Sequence, residues 1–377
     1  MKYVMDRSNR EAMTHAEEFY KNALELDSAI APAYVGLAKI YAAKNYWKEY
    51  FSENFLDSGL ILSDKALSFD PQLSEAYSLR GNRYYIGGKF EEALAMYDIA
   101  LRFNPNDWMA HRGKYFIYRN NNLVLAIEDI QKAIDINREP GSLPSLIGFL
   151  GGAYCNAGFY DIGFQYFKKV LEMNGDSVSY YNSLASQEYF KANYEESLKY
   201  AIMAYALDST NITTLEYLGN NHIALGHLEE GLLYYNKLRE KLNVIQSLLL
   251  NNMHRIAYAF WLNGMEQQAD QYFDMQLDYC TQVNKLGRPI SANKYTYYDL
   301  ACVYSFRGDT EKALENLRVF NERKVEISLM ASLIKWDPLL DNIRSEPEFQ
   351  QILRDVEAKY QAEHERVRQW LEENDVS

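Results

Sequence analysis

The stretch LSEAYSLRGNRYYIGGKFEEALAMYDIALRFNP, residues 73–105, decides the fold because its pattern recurs along most of the chain. One position of the pattern is filled by a small residue in every unit. It holds Ala16, Gly59, Ala93, Ala126, Gly163, Ser197, Gly231, Ala269 and Ala313, at intervals of 33 to 44 residues. A second small residue, such as Gly81 or Gly151, precedes most of these by twelve residues. Because small residues on facing helices allow close approach, each period predicts an antiparallel helix pair.

The repeat register predicts eight consecutive helix pairs and no strands, since period-two alternation is absent. The pairs are expected near residues 31–48/55–69, 74–87/90–103, 107–120/123–137, 143–157/160–173, 178–191/194–207, 212–225/228–241, 248–263/266–281 and 294–307/310–322. Ahead of them, Ser8 and Glu11 have capping-box spacing, which predicts a helix near residues 9–26. Residues 1–30 are therefore expected to form a partial repeat, 31–325 the array, and 326–377 a C-terminal cap with an amphipathic helix.

These residues resemble the tetratricopeptide repeat, a 34-residue helix–turn–helix unit with small residues at the helix crossings and a proline after the second helix. Pro71 and Pro105 stand 34 residues apart at that closing position. The turn glycine appears as Gly88, Gly158, Gly226, Gly264 and Gly308. The resemblance covers about residues 10–325. It implies an all-α, right-handed superhelical solenoid of antiparallel helix pairs, whose first helices line a concave groove and whose last repeat is shielded by a capping helix.

Three further stretches are similar to the repeat regions found C-terminal to bacterial adenylate cyclases and winged-helix transcriptional regulators. They are NYWKEYF at residues 45–51, KALSFDPQLSEAYSLRG at 65–81, and WDPLLDNIRSEPEFQQIL at 336–353. This resemblance implies a bacterial signalling role. The sequence contains no cyclase or DNA-binding segment, so an effector domain would have to lie outside the given chain.

Charge and cysteine content exclude several classes of partner and compartment. The net charge of -13 disfavours direct binding to nucleic acid or to an anionic lipid surface, because both need clustered Lys and Arg. Cys155, Cys280 and Cys302 fit neither a disulfide framework nor a zinc motif, which favours a reducing, cytoplasmic compartment. The uncharged stretch 140–160 is rich in Gly and Pro, so we expect a buried helix there rather than a membrane span.

The sequence offers no recognisable catalytic constellation. Catalysis needs convergent groups in one pocket, whereas the six histidines are spread over the chain and no Gly-Lys-Ser/Thr phosphate loop occurs. His222 and His227 are close in sequence, but no HExxH pattern or neighbouring Cys accompanies them. We therefore expect no enzymatic activity, no cofactor and no metal site.

The resemblance places the exposed side of each first helix in the groove, and this side is rich in Tyr, Trp, Arg and Asn. Such residues combine rigid contact area with directional hydrogen bonds. The predicted ligand-binding residues are Asn82, Tyr85, Arg112, Arg119, Asn182, Tyr189, Tyr217, Asn220, Asn251, His254, Arg255, Tyr258, Trp261, Tyr295 and Tyr298. The alternative is that many of the 32 tyrosines serve only to pack the repeats together.

Two insertions interrupt the regular spacing. The extra residues around 45–57 include five aromatic residues, Tyr46, Trp47, Tyr50, Phe51 and Phe55. They are expected to form either a longer helix that packs on its neighbour or an exposed rim that binds a ligand. The long interval before the last unit predicts a loop at residues 284–293. Because insertions in solenoids often lie on the binding face, this loop is a second candidate contact.

The C-terminal residues predict a helix in two parts. Phe349, Ile352 and Val356 form the apolar stripe of a helix that caps the last repeat. The later stripe, which includes Trp370 and Leu371, belongs either to a solvated tail or to a partner helix, through which a weak homo-oligomer could form.

The first functional hypothesis is a non-enzymatic scaffold or adaptor that recognises a peptide or protein in its groove. The alternative is a sensory or regulatory module of a larger bacterial signalling protein. Within the resembling family, carboxylate-clamp members hold a chaperone C-terminus with lysines at set places. Glu216 stands where one such lysine should be, so that partner is not supported.

Overall fold

The computed structural model describes residues 10–44, 55–137, 141–245, 253–285, 295–322 and 327–375, and within them every regular element is a helix. The first helices are α1 (Arg10–Leu26), α2 (Ala31–Lys44), α3 (Phe55–Phe69), α4 (Ser74–Ile86), α5 (Phe90–Phe103), α6 (Trp108–Tyr118), α7 (Leu123–Ile136), α8 (Leu143–Asn156), α9 (Tyr160–Asn174) and α10 (Ser177–Phe190). The chain continues with α11 (Tyr194–Leu207), α12 (Ile212–Ala224), α13 (Leu228–Ile245), α14 (Met253–Leu262), α15 (Glu266–Lys285), α16 (Thr296–Phe306), α17 (Thr310–Glu322), α18 (Ile327–Trp336), a 3-10 helix η1 (Pro338–Ile343) and α19 (Pro347–Glu373).

The predicted all-α fold class is confirmed: the described residues form an array of helical hairpins, as the tetratricopeptide resemblance implies. The eight predicted pairs are α2/α3 through α16/α17, and most of their ends lie within a few residues of the expected positions. Helices α13 and α15 run further than predicted, to Ile245 and Lys285. After each of these helices, the interval to the next repeat is longer than 34 residues. Part of the additional residues therefore lengthens the second helix of the pair.

The described chain divides into two compact units, each built from helical hairpins. The first contains α1 to α6, together with residues 125–146, which carry most of α7 and the start of α8. The second contains residues 119–124 and the described residues that follow position 146. None of the described helices combines the length and the apolar content needed to cross a lipid bilayer.

The core of the first unit is built around one tyrosine ring at the crossing of three helices. Tyr97 on α5 is fully buried. A β-carbon added to Gly81 on α4 would lie 2.5 Å from this ring, and one added to Gly113 on α6 would lie 2.3 Å from it. The ring therefore occupies space that only residues without a side chain leave, which explains why the repeat needs small residues at its crossings.

The second unit repeats this arrangement with different rings. Tyr235 on α13 lies against Gly219 on α12, where an added β-carbon would be 3.1 Å from the ring. Phe167 on α9 lies in the same way against Gly151 on α8, at 2.9 Å. The turn between paired helices also recurs, with a left-handed glycine at its centre, for example Gly88 with φ of 75°. The glycine pattern that identified the repeat thus has a direct steric cause.

Helix α19 packs along its whole length on the second unit. Its first part buries Phe349, Ile352 and Val356 in the large apolar core of this unit, as expected for a cap. In its second part, Glu363 accepts a hydrogen bond of 2.8 Å from the backbone N–H of Leu123, the first residue of α7.

The expectation of a solvated tail in this second part is therefore wrong, whereas the partner helix and its weak homo-oligomer stay a prediction. Val367 and Leu371 are buried. The ring of His364 stacks on Phe159 with 4.9 Å between the ring centres. Leu371 is thus already used for packing within the chain rather than left available for a second copy.

We predict that Gly113→Ala lowers the free energy of unfolding by about 1–3 kcal/mol, the usual cost of overpacking a core. The added methyl would collide with the buried Tyr97 ring. Gly152→Ala on α8 is the matched control, because no atom lies within 4 Å of the added β-carbon. It should be neutral or stabilise by up to about 1 kcal/mol, since Ala favours the helix. Urea unfolding of both variants tests this, and an unchanged Gly113→Ala would contradict the steric account.

Candidate protein-interaction groove

Three asparagines of the predicted groove are structural. The Tyr97 hydroxyl donates a hydrogen bond of 2.7 Å to Oδ1 of Asn82, and the Tyr235 hydroxyl donates one of 2.5 Å to Oδ1 of Asn220. Asn182 is buried and accepts a hydrogen bond of 2.9 Å from the Thr214 hydroxyl. These bonds join neighbouring helices. Asn182 and Asn220 are buried, which corrects their expected exposure in the groove, whereas Asn82 is partly buried.

In the first unit, an aromatic and cationic cluster remains partly accessible. The ring of Tyr85 on α4 lies 5.8 Å from that of Phe90 and 6.3 Å from that of Phe116, measured between ring centres. The guanidinium of Arg112 lies 5.3 Å from the centre of the Trp108 ring, within cation–π range. Tyr85 and Arg112 are half-buried. This pair keeps the surface character expected of groove residues.

The second unit contains a buried ion pair that the sequence analysis did not anticipate. Nη2 of Arg255 on α14 lies 2.8 Å from Oδ2 of Asp337, and the Tyr298 hydroxyl on α16 donates a hydrogen bond to the same oxygen. The side chains of Asp337 and Arg255 are only 1% and 16% exposed. Two predicted groove residues, Arg255 and Tyr298, thus bind an aspartate of the same chain, which corrects their expected exposure.

The electrostatics of this ion pair favour the charged form of both partners. Burial by itself would raise the pKa of Asp337, but the Arg255 charge and the Tyr298 hydroxyl outweigh it and hold that pKa below its usual value. Burial would lower the pKa of Arg255, and Asp337 reverses this. Burial, followed by the Asp337 charge, raises the pKa of Tyr298, so its hydroxyl keeps its proton and acts as a donor.

His254 is likewise buried rather than exposed, which corrects its predicted place on the surface. Its backbone N–H donates to Oε1 of Gln276 at 3.3 Å, and its Nε2 lies 4.0 Å from Oδ1 of Asp299. Burial, and secondarily the nearby Arg255 charge, lower the pKa of His254 to about 3. The imidazole is therefore neutral at ordinary pH.

Asp337 belongs to a segment that packs on the first helices of the second unit, and we call residues 332–343 the C-terminal insert. The Ser332 hydroxyl donates a hydrogen bond of 2.6 Å to the carbonyl of Phe190 at the end of α10. The Asn342 side chain donates one of 2.9 Å to the carbonyl of Ser305 on α16. Between these anchors, Leu339 and Leu340 are buried. The insert thus contacts α10, α14 and α16, three helices that supply predicted groove residues.

The other predicted residues of the second unit take part in further packing contacts or are partly buried. The rings of Tyr189 and Tyr217 contact each other at 5.9 Å, and burial raises the pKa of Tyr189 to about 12. The Tyr295 ring lies 6.2 Å from that of Phe320. Arg119 is half-buried just after the end of α6. Asn251, residues 45–54 of the aromatic insertion and residues 286–293 of the predicted loop lie outside the described residues.

One aromatic cluster at predicted groove positions remains open, and we call Tyr258, Trp261 and Phe306 the Trp261 cluster. The rings of Tyr258 and Trp261 stack at 6.0 Å, and Phe306 meets the Trp261 ring edge-on at 5.1 Å. The Trp261 residue is 43% exposed, so a large apolar side chain is held rigidly by two neighbours while it faces solvent. Such an arrangement is typical of an interface anchor.

The chain is similar over part of its length to several known proteins. No family model matches the chain. Over 102 residues, 26% of its length, the chain is 31% identical to the Hsp70-Hsp90 organising protein of Plasmodium falciparum (isolate 3D7), and it spans 18% of that relative. Among solved structures, it is similar to PilF of Pseudomonas aeruginosa, with 17% identity, a TM-score of 0.43, and coverage of 57% of this chain and 92% of the other.

A second solved structure, the APC/C hetero-tetramer Cut9-Hcn1, contains a similar chain with 14% identity and a TM-score of 0.46. The similarity covers 92% of this chain and 59% of that one. The fold assignment itself rests on the helices described above. Within the described residues, no group of three or more His, Cys, Asp or Glu side chains is arranged to hold a metal ion.

We predict that Asp337→Asn lowers the free energy of unfolding by about 3–5 kcal/mol, because it leaves the buried Arg255 charge without its partner. Asp341→Asn is the matched control. Asp341 also pairs with an arginine, Arg344, at 2.8 Å, but its side chain is 63% exposed. This control should cost at most about 1 kcal/mol. Denaturant unfolding at neutral pH measures both, and equal losses would contradict the importance of the buried pair.

We also predict that stability falls as the pH is lowered from about 6.5 towards 3, in part because of His254. The folded pKa of His254 is about 3, whereas an unfolded histidine has a pKa of about 6.5. Between these values the unfolded chain binds the extra proton, so acid favours unfolding by up to about 1.4 kcal/mol per pH unit. His254→Gln should flatten this slope, whereas His15→Asn, at an exposed histidine, should not. Identical slopes in both variants would contradict the assignment.

Proposed function

We propose that the protein is a non-enzymatic scaffold that binds a segment of a protein partner. The observation that carries this proposal is the C-terminal insert, which the first helices of the second unit hold through Arg255, Tyr298 and backbone carbonyls. A surface that binds a segment of its own chain by these means has the chemistry needed to bind another polypeptide. Non-enzymatic status is part of the proposal.

The proposed contact surface is the Trp261 cluster, with Tyr85 and Arg112 of the first unit as a second surface. Tryptophan, tyrosine and arginine contribute most strongly to protein interfaces, and the two aromatic residues bury a large area while losing little side-chain entropy. The stacking of Trp261 on Tyr258 fixes the ring before binding. A partner that covers the exposed part of this ring therefore gains apolar contact without having to order the side chain.

A chaperone C-terminus is not the partner we propose. The relative from Plasmodium falciparum is named for two chaperones, Hsp70 and Hsp90. The matching segment covers only a small part of that protein, and Glu216 places a negative charge where clamp members of the repeat family carry a lysine. A carboxylate tail would be repelled at this position.

The second candidate is a regulatory module of a larger bacterial signalling protein, whose effector domain lies outside the given chain. The observation that favours it is the insert itself. The stretch WDPLLDNIRSEPEFQQIL, on which the resemblance to cyclase and regulator repeat regions depends, includes most of the insert and the start of α19. Sequencing the gene upstream of the Met1 codon distinguishes the candidates, because a module requires an in-frame effector domain and a free-standing scaffold does not.

The scaffold proposal predicts that Trp261→Ala weakens peptide binding about 30-fold, which corresponds to the roughly 2 kcal/mol of an interface hot spot. The probe is a random peptide library selected against the immobilised protein. Selected peptides are then synthesised and titrated against both forms. We expect the helical content to be unchanged, because Trp261 is largely a surface residue.

The matched control is Phe103→Ala on α5. Phe103 is 43% exposed, as Trp261 is, and its ring stacks on that of Tyr77, so this change also removes an exposed aromatic ring, but on a second helix outside the predicted groove. It should leave the peptide affinity within a factor of about two. No selected peptides with the wild-type protein, or equal affinity for Trp261→Ala, would contradict the proposed surface.

A further inference from the structure

Two histidine side chains meet at the turn between α12 and α13 in the second unit. Nδ1 of His222, near the end of α12, lies 3.3 Å from Nδ1 of His227, the residue before α13. The backbone holds the two residues in place, because the N–H of His227 donates a hydrogen bond of 2.8 Å to the carbonyl of His222. The two imidazoles are therefore brought together by the closed turn of the repeat.

The repeat register explains why these two positions face each other. The same positions of the preceding hairpin hold Glu188 and Asn193, and the Asn193 side chain donates a hydrogen bond of 2.7 Å to the Glu188 carboxylate. The positions are thus in side-chain contact in two consecutive hairpins. In the second of these hairpins, both happen to carry the residue type that most often ligates transition metals.

The distance between the two nitrogens matches one coordination geometry better than another. With Zn–N bonds of about 2.0–2.1 Å, a tetrahedral ion separates two ligand nitrogens by about 3.3–3.4 Å. A square-planar or octahedral ion with bonds of this length separates adjacent ligands by only about 2.9 Å, from the right angle between them. The two nitrogens share a hydrogen bond of 3.3 Å, which is close to the tetrahedral spacing, so only a small movement of the rings would be needed to admit a tetrahedral ion.

The surroundings also suit a cation. His222 stacks on the Tyr234 ring, with 5.4 Å between centres and 14° between planes, so its orientation is fixed. His227 is exposed, which leaves its ring free to turn its Nδ1 lone pair towards an ion. Glu230 adds a negative charge nearby.

We propose that His222 and His227 together bind one Zn²⁺ ion, with water completing the tetrahedron. The ion would replace the contact between the two nitrogens with two metal–nitrogen bonds, and each ring would then carry its proton on Nε2. Because binding requires the folded turn, zinc stabilises the hairpin α12/α13. Sequence motifs for structural zinc sites are defined by four protein ligands. A site with two histidines and two waters does not match them, so they do not predict it.

The test is a zinc titration of the full chain against a chromophoric chelator, in buffer with excess Mg²⁺ to suppress binding by surface carboxylates. Wild type is compared with His222→Asn, His227→Asn and the control His15→Asn, which removes an exposed histidine from α1. We expect one zinc per wild-type chain and per His15→Asn chain. Either change in the pair should weaken binding at least about tenfold, since even loss of an outer-shell partner costs about 10–100-fold.

A second measurement on the wild-type protein avoids dependence on the variants. Zinc should shift the imidazole NMR signals of His222 and His227 and leave those of the buried His254 in place. Retained affinity in both pair variants, absence of binding by wild type, or shifts confined to other histidines would each overturn the proposal.

Discussion

The array depends on close approach of helices at residues that lack a side chain. The clearest case is the Tyr97 ring, which fills the space left by Gly81 on one helix and Gly113 on another. This single ring joins three helices from two successive hairpins, so it links the hairpins as well as closing one of them. Because each crossing must be filled without a void or a collision, the small residues and the rings opposite them recur together along the chain.

This constraint explains why the fold was predictable and why part of the groove was not. The spacing of the small residues predicted the helix pairs, because a small residue is required wherever two helices cross closely. Two of the three asparagines, Asn82 and Asn220, follow the same rule: where the crossing ring is Tyr97 or Tyr235, an asparagine accepts a hydrogen bond from its hydroxyl. Where the ring is Phe167, the corresponding position is Gly152. Among these three repeats, an asparagine is found only where a tyrosine follows fifteen residues later. This pairing indicates a packing role for the asparagine, and it can be seen in the sequence.

The Asp337 site could not be found from the repeat, because it joins residues that the register does not relate. Arg255 and Asp337 are 82 positions apart, and the insert leaves the helical pattern through a 3-10 helix. The one local signal was Asp337 before Pro338, the pattern of a helix N-cap, and the Asp337 carboxylate does accept the N–H of Leu339 at 3.0 Å. That signal predicts the start of a helix. It contains no information about the distant arginine.

The buried pair also bears on where a partner can bind. Desolvation largely offsets the attraction within a buried ion pair, so Arg255 and Asp337 add little net stability beyond what apolar residues would give, but they make every misplacement of the insert costly. Around them, Leu339, Leu340 and Ile343 belong to the same apolar core as the last repeats. Displacing the insert would expose this core and separate two charges at once. On the proposed function, a partner would therefore gain more by covering the Trp261 cluster, which adjoins the insert through the hydrogen bond from Asn342 to the carbonyl of Phe306, than by displacing the insert.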